Sequence, residues 1–199
     1  MSLFNQLKAR SDNNDLIRIG LIGVGKFGTM FASQVIRLPG IHVVGVADLN
    51  VQSCKSNLKL AGWKPEMYAA KTLDKALEAG TTCVLENFVS LVNEPRIDII
   101  IECTGNPVKA VDHILAAFES GKHVISATVE ADALCGPALA RKAIEFGVIY
   151  SMAYGDQPAM VCELVDWARV CGFDVIAAGR GHKWRSEYRY STPDTIWDY

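Results

Sequence analysis

Short apolar segments alternate with amphipathic ones from residue 16 to residue 151. The apolar segments are almost free of polar residues, as strands covered on both faces of a sheet should be, and predict strands at 17–23, 41–47, 82–85, 97–103, 122–127 and 147–151. The segments between them repeat apolar residues at helical spacing and end near glycines, which predicts helices at 26–38, 50–61, 72–79, 107–120 and 132–146. The alternation predicts an α/β fold with a doubly wound parallel sheet.

The pattern changes at both ends of the chain. The first residues predict a short amphipathic helix followed by a polar linker. Beyond residue 154 the sequence predicts one more helix over 159–170 and a seventh strand over 173–179, and then an aromatic and basic tail without a period. We therefore expect three parts: an N-terminal helix and linker over 1–15, the doubly wound domain over 16–154, and the beginning of a second, substrate or dimerisation domain, incomplete, over 155–199.

A glycine-rich turn follows the first predicted strand. Gly23, Gly25 and Gly28 form a G-x-G-x-x-G pattern at the point where the next helix begins. A turn without side chains can bring its backbone N–H groups close to a diphosphate, and a helix N-terminus favours the negative charge. The pattern therefore predicts a Rossmann dinucleotide-binding site, with Lys26 and Phe27 among the residues that contact the cofactor.

Asp48 ends the second predicted strand, twenty residues after the last glycine of the motif. A carboxylate at this place can accept hydrogen bonds from both hydroxyls of the adenosine ribose and repels a 2′-phosphate. The nearest cation after it is Lys55, whereas an NADP site usually has an arginine close by. NAD is therefore the expected cofactor, with NADP less favoured. The alternative is that Asp48 and Asn50 only cap the next helix.

Ligands of doubly wound sheets lie across the carboxyl ends of the strands. The loops after the fourth, fifth and sixth predicted strands are rich in small and polar residues, and the loop at 104–107 is expected to meet the nicotinamide ribose. The alternative for each loop is ordinary turn and capping chemistry. The cofactor-binding residues we expect are Gly23, Gly25, Lys26, Phe27, Gly28, Asp48, Cys103, Thr104, Gly105, Asn106 and Thr128.

Three residues are candidates for catalysis. Glu130 is a candidate for proton transfer or for binding a divalent metal, and is otherwise a surface residue near a helix start. Asp156 either holds substrate or metal or only shapes its turn. Lys183, next to His182, is of the proton-donor type that hydride transfer to a carbonyl requires. The other histidines lack metal-ligand spacing, so no metal site is predicted from the pattern itself.

Composition limits the classes of partner. The chain has 199 residues, half of them hydrophobic, and 20 basic against 22 acidic residues, so it shows no electrostatic footprint for nucleic acid or an anionic membrane. No apolar run reaches the roughly 18 residues that span a bilayer. Six cysteines without a C-x-x-C pair, and an N-terminus unlike a signal, favour a cytoplasmic protein. We expect a small-molecule substrate, no nucleic acid, no membrane and a homo-oligomer.

The motifs together resemble the N-terminal half of the homoserine dehydrogenase-like oxidoreductases. Within that group the chain most resembles the branch that carries a C-terminal SAF domain and includes deoxyxylulose phosphate reductoisomerase-like enzymes and sugar-acid oxidoisomerases. The segments that carry the resemblance are 19–28, 98–107, 121–124, 129–132, 147–151 and 155–158.

This resemblance implies nicotinamide-dependent redox chemistry on a small polar hydroxy or oxo compound. The chain departs from the family after the fifth strand, where homoserine dehydrogenases have Asn-Lys and Gfo/Idh-type sugar dehydrogenases have Glu-Lys-Pro, while this chain has Val129-Glu130-Ala131 and no lysine. Two alternatives stay open. One is an oxidoisomerase that uses a divalent metal held by Glu130 or Asp156, and the other is a non-catalytic NAD-binding module.

Overall fold

A computed structural model describes residues 2–154, 157–179, 186–192, 194 and 195. Its contacts divide the chain into two compact units, Met1–Tyr154 and Gly155–Tyr199. The strands, which all belong to the first unit, are β1 (Ile17–Ile22), β2 (Ile41–Ala47), β3 (Cys83–Leu85), β4 (Ile99–Glu102), β5 (His123–Ser126) and β6 (Tyr150–Met152).

Helices connect these strands and extend beyond them at both ends. Short 3₁₀ helices cover Pro65–Tyr68 and Ser186–Tyr190. The α-helices are α1 (Leu3–Asp12), α2 (Lys26–Val35), α3 (Val51–Leu60), α4 (Leu73–Ala79), α5 (Val89–Val92), α6 (Pro107–Glu119), α7 (Val129–Glu145) and α8 (Gln157–Val170). Among these helices, none is both long and apolar enough to cross a membrane.

The strands form one parallel sheet in the order β3-β2-β1-β4-β5-β6. The predicted doubly wound α/β fold is therefore confirmed. The order reverses direction at β1 and β4, where the connections leave to opposite sides and open a crevice at the carboxyl edge. The end of β1 lies between the ends of the two neighbouring strands, since Ile22 pairs with Ala47 on β2 and with Glu102 on β4.

Two apolar clusters hold the helices against the two faces of the sheet. Adjacent strand residues point to opposite faces, so Ile100 and Ile101 of β4 belong to different clusters. The first cluster packs Ile114 and Phe118 of α6 on the sheet, and the second packs Leu58 of α3. Each such fully buried side chain contributes about 1.5–3 kcal/mol to folding.

One predicted strand does not form within the described residues, and several other predicted elements begin or end at different residues. The seventh strand expected over 173–179 is wrong: these residues have no regular secondary structure, and Ile176 is 98% exposed. A strand needs a hydrogen-bonded neighbour, and no other part of the described chain pairs with this segment. Helix α7 begins at Val129 rather than at 132, because Thr128 lies at its N-cap.

Candidate functional site

The glycine loop, residues 23–28, lies at the carboxyl end of β1, in the middle of the sheet. Gly23 adopts φ +89°, and a Cβ on it would lie 3.0 Å from backbone atoms of Cys103 and Thr104. A Cβ on Gly28 would lie 2.2 Å from the carbonyl oxygen of Gly23. The first and third glycines are therefore required by the packing of the protein itself.

Gly25 differs from the other two glycines of the motif. Its φ is −73°, which any residue adopts, and a Cβ on it would meet no atom within 4 Å. It is the N-cap of α2, and no side chain caps this helix. The N–H groups of Gly25, Lys26 and Phe27 have no acceptor among the described residues, and these three residues are exposed. The protein thus leaves donors and open space at one point.

Asp48 anchors the glycine loop from the end of β2. One oxygen of its half-buried carboxylate accepts the N–H of Val24 at 2.9 Å, and the other accepts the N–H of Asn50 at 3.0 Å. Asn50 itself caps α3, because its side chain accepts the N–H of Ser53 at 2.9 Å. Asp48 therefore holds in place the loop next to which the adenosine is expected. This applies both to the interpretation as a ribose-binding residue and to the interpretation as a helix cap.

A second loop, residues 103–107, follows β4 and is tied to a buried carboxylate. Glu102 is fully buried, and its Oε1 accepts the N–H of Thr104 at 3.2 Å as well as the hydroxyl of Thr104. Its Oε2 accepts the hydroxyl of Thr128, and Nδ1 of His113 lies 3.3 Å from Oε1. Burial alone would raise the pKa of Glu102, but the hydrogen bonds from His113, Thr104 and Thr128 outweigh it and lower the pKa. Glu102 is therefore an ionised carboxylate.

The same network takes up the backbone donors of this loop. The N–H of Gly105 donates to the hydroxyl oxygen of Thr128 at 3.0 Å, and the N–H of Asn106 donates to that of Thr104 at 3.4 Å. Asn106 in turn caps α6 by accepting the N–H of Lys109 at 3.1 Å. Three successive N–H groups, those of residues 104–106, are thus bonded inside the protein.

Cys103 is the first residue of the loop after β4 and is buried. Burial, together with the nearby Glu102 carboxylate, raises the pKa of its thiol to about 12. A Cβ on Gly28 would lie 3.7 Å from the Cβ of Cys103, so this residue lies beneath the start of α2. The group is a neutral thiol at neutral pH, and its contacts are packing contacts.

Sequence reasoning missed Glu102 and assigned no role at the site to His113. The ring of His113 packs on Phe88, with 4.4 Å between centroids, and faces the carboxylate of Glu102. The available signal was a glutamate at the carboxyl end of a strand that is otherwise apolar, followed by Cys-Thr-Gly. Its partners come from 2, 11 and 26 residues further along the chain, which a local pattern does not show.

The structure assigns surroundings to only one of the three catalytic candidates. Glu130 is exposed in the first turn of α7, where negative charge favours the helix, and lies in the helix rather than in the loop expected there. Asp156 and Lys183, like His182, lie outside the described residues. Within the described part of the chain, no group of three or more His, Cys, Asp or Glu side chains could hold a metal ion.

A separate cleft of about 360 Å³ lies at the opposite, amino edge of the sheet. It is lined mainly by apolar side chains, among them Trp63 and Met67, with His42 at its side. Nε2 of His42 lies 2.7 Å from the carbonyl oxygen of Thr81, which accounts for its polar atom. The cleft shares no residue with the two loops, so the candidate site is the open carboxyl edge.

Comparison with known proteins identifies the family. Residues 17–127 match the family described as "Oxidoreductase family, NAD-binding Rossmann fold", and residues 155–199 match the catalytic domain of "Oxidoreductase DRL". The homoserine dehydrogenase of Pseudomonas aeruginosa is 30% identical over 114 residues, which are 55% of this chain and 26% of that protein. The homoserine dehydrogenase of Methylobacillus glycogenes is 28% identical over 120 residues, 56% of this chain and 24% of that protein.

The matched region therefore spans about a quarter of the length of these curated relatives. Among solved structures, an NAD-binding oxidoreductase from Klebsiella pneumoniae superposes with a TM-score of 0.54 at 20% identity, covering 79% of this chain and 39% of the other, a likeness that shows the fold. Since the family match covers more than half of the 199 residues, the chain belongs to the oxidoreductase family with an NAD-binding Rossmann fold.

Proposed function

We propose that this chain carries the nucleotide-binding part of an oxidoreductase that uses NAD in preference to NADP. The observation that carries the proposal is the contrast at the glycine loop: Gly25 stands in open space at an uncapped helix, beside N–H donors that no described residue accepts. Nothing within the protein requires a glycine at this position. A diphosphate does require it, because any side chain would fill the place where its oxygens meet the backbone.

In this proposal, different residues of the site bind different parts of the cofactor. The N–H groups of Gly25, Lys26 and Phe27 bind the diphosphate, and Asp48 accepts hydrogen bonds from the adenosine ribose while holding the loop by Val24. The loop of residues 104–106, together with Thr128, borders the nicotinamide end. When bound, the nicotinamide accepts or donates the hydride.

The substrate we propose is a small polar hydroxy or oxo compound. The homoserine dehydrogenases that match over about a quarter of their length support this class. The stretch after β5 has Val129 and Glu130 in place of a lysine, so homoserine itself is not part of the proposal.

Residues 155–199 supply part of the catalytic machinery in this proposal. Their match to the catalytic domain of oxidoreductase DRL supports it. Asp156 and Lys183 lie in that segment and remain the catalytic candidates, together with Glu130. The six cysteines, all of them free, support a reducing compartment such as the cytoplasm.

Calorimetric titration with NAD⁺ and NADP⁺ tests the cofactor assignment. The wild-type chain should bind NAD⁺ more tightly. Gly25→Val should abolish binding of both nucleotides while the melting temperature stays close to that of the wild type, because a Cβ at this position meets no protein atom within 4 Å. Unchanged binding by this folded variant would contradict the proposed site. Tight binding without turnover in any substrate panel would instead favour a non-catalytic module.

Asp48→Asn tests the preference for NAD. In the wild type the N–H of Val24 lies 2.9 Å from the carboxylate oxygen of Asp48. The variant keeps one oxygen that can accept this N–H but removes the negative charge. We expect the affinity for NADP⁺ relative to NAD⁺ to rise about tenfold, the size of a unit charge acting at short range in a partly hydrated site. An unchanged ratio would restrict Asp48 to anchoring the loop.

A further inference from the structure

Burying the carboxylate of Glu102 costs free energy, whereas a neutral residue at this position could form hydrogen bonds to the same backbone. It is fully buried, and among the described residues it forms no ion pair with a lysine or an arginine; His113 is the one titratable base that faces it. Burying a carboxylate without a permanent cation is unfavourable, and only hydrogen bonds offset the cost. A function that uses the charge itself would explain why it is kept.

The location of the charge is specific. Glu102 ends β4 at the centre of the sheet, paired with Ile22 of β1 and with Ser126 of β5, directly beneath the loop at 104–106. Its hydrogen bonds connect this loop to Thr128 at the N-cap of α7 and to His113 in α6. This one carboxylate therefore sets the position of the loop relative to Thr128. In the proposed function these two segments border the nicotinamide end.

The negative charge of Glu102 also acts on a neighbouring group. It contributes to the raised pKa of the neighbouring Cys103 thiol, because the negative charge disfavours a second anion close by. A cation at the same edge would be favoured for the same reason. Oxidised nicotinamide carries a positive charge on its ring, whereas reduced nicotinamide is neutral.

From this arrangement we infer that Glu102 is a positioning residue for the nicotinamide half of the site, whose fixed negative charge makes the protein favour the oxidised over the reduced cofactor. The inference rests on the proposed function, since it needs a nicotinamide at the loop of residues 104–106. It adds a residue, and a selectivity between redox states, that the cofactor assignment alone does not contain.

The test compares the dissociation constants of NAD⁺, NADH and ADP for the full chain and its variants by calorimetry. In Glu102→Gln the ratio of the NAD⁺ constant to the NADH constant should rise about threefold to tenfold, as expected when one unit charge is removed near a cation. Binding of ADP should stay within about twofold of the wild type. ADP lacks the nicotinamide, and the interaction energy with the charge of Glu102 falls with distance. A role in packing alone would change all three constants together.

Two further variants serve as controls. Glu102→Asp keeps the charge and should keep the wild-type ratio. Thr128→Val removes the hydroxyl that donates to Oε2 but leaves the charge, so it should weaken NAD⁺ and NADH by a similar factor. If Glu102→Gln does not fold, Glu102→Ser, which leaves room for water, takes its place in the comparison.

An unchanged ratio in the folded neutral variant, or an equal change of ratio in Thr128→Val, would overturn the inference and leave the cofactor assignment intact. Failure of the wild-type chain to bind any of the three nucleotides would overturn the proposed function itself. The two failures are therefore distinguishable in one set of titrations.

Discussion

The two glycine-containing loops at the carboxyl edge of the sheet are built in opposite ways. In the glycine loop the donors at the start of α2 have no acceptor among the described residues, and the helix has no side-chain cap. In the loop after β4 the N–H groups of residues 104–106 all donate to protein oxygens, and Asn106 caps the next helix. The loops lie side by side, since Gly23 packs against Cys103 and Thr104.

In the proposed function, this difference assigns each loop to one end of the dinucleotide. Free N–H groups at a helix N-terminus attract an anion, which a diphosphate satisfies. A loop whose donors are already used, above a buried carboxylate, attracts no anion and suits a neutral or cationic group. The motif glycines alone do not carry this distinction; the partners of the backbone N–H groups do.

The largest expected effect comes from removing the anchor of each loop in turn. Glu102→Ala should lower the free energy of unfolding by roughly 3–5 kcal/mol, because it strands buried donors from several elements. Asp48→Ala should cost about 1–2 kcal/mol, since its carboxylate is half-buried and water can replace it. Urea denaturation of both variants measures the two values. Equal losses would break the comparison between a buried and a half-exposed anchor.

The glycines provide the next largest contrast. Gly28→Ala should destabilise the fold by about 2–3 kcal/mol, because its Cβ would lie 2.2 Å from the carbonyl oxygen of Gly23, which is backbone and cannot turn away. Gly25→Ala should leave the melting temperature nearly unchanged. Thermal unfolding of the two alanine variants without ligand checks this. A large loss in Gly25→Ala would show that the protein, not a ligand, requires that glycine.

The smallest effect concerns acid stability. The pKa of Glu102 is below its ordinary value of 4.5 in the folded chain, with hydrogen bonds from His113, Thr104 and Thr128 outweighing the effect of burial. Its stabilisation is therefore complete above the unfolded pKa and is lost as the pH falls through the lower, folded pKa. Between about pH 5 and pH 3 the wild type should lose more stability than Glu102→Gln. Parallel losses in urea titrations across this range would contradict an ionised Glu102.

The sequence predicted the sheet well because its signals are local. Apolar runs of strand length, ended by glycines, marked the six strands of the sheet within a few residues, and the N-cap residues Asn50 and Asn106 stand where helices begin. The seventh strand failed because an apolar run states only that a strand can form. Whether a neighbour is present to pair with 173–179 depends on residues elsewhere in the chain.

Glu102 shows what a local pattern leaves out at the site. As a strand residue among Ile99, Ile100 and Ile101 it looks like the polar end of a buried strand. Only the folded chain brings Thr128, from the start of α7, and His113, from α6, to its two oxygens. Burial and partners from distant segments define this group, and neither can be read from its neighbours in the sequence.

The anchors of the two loops, Asp48 with its partners and Glu102 with its partners, have no residue in common. Mutations can therefore alter the hydrogen bonds that anchor one loop while those that anchor the other stay in place. In the proposed function, a lineage could exchange one dinucleotide for its phosphorylated counterpart by a change at position 48 while the residues at the redox end stay the same. Engineers who wish to change the electron carrier of this scaffold have the same freedom.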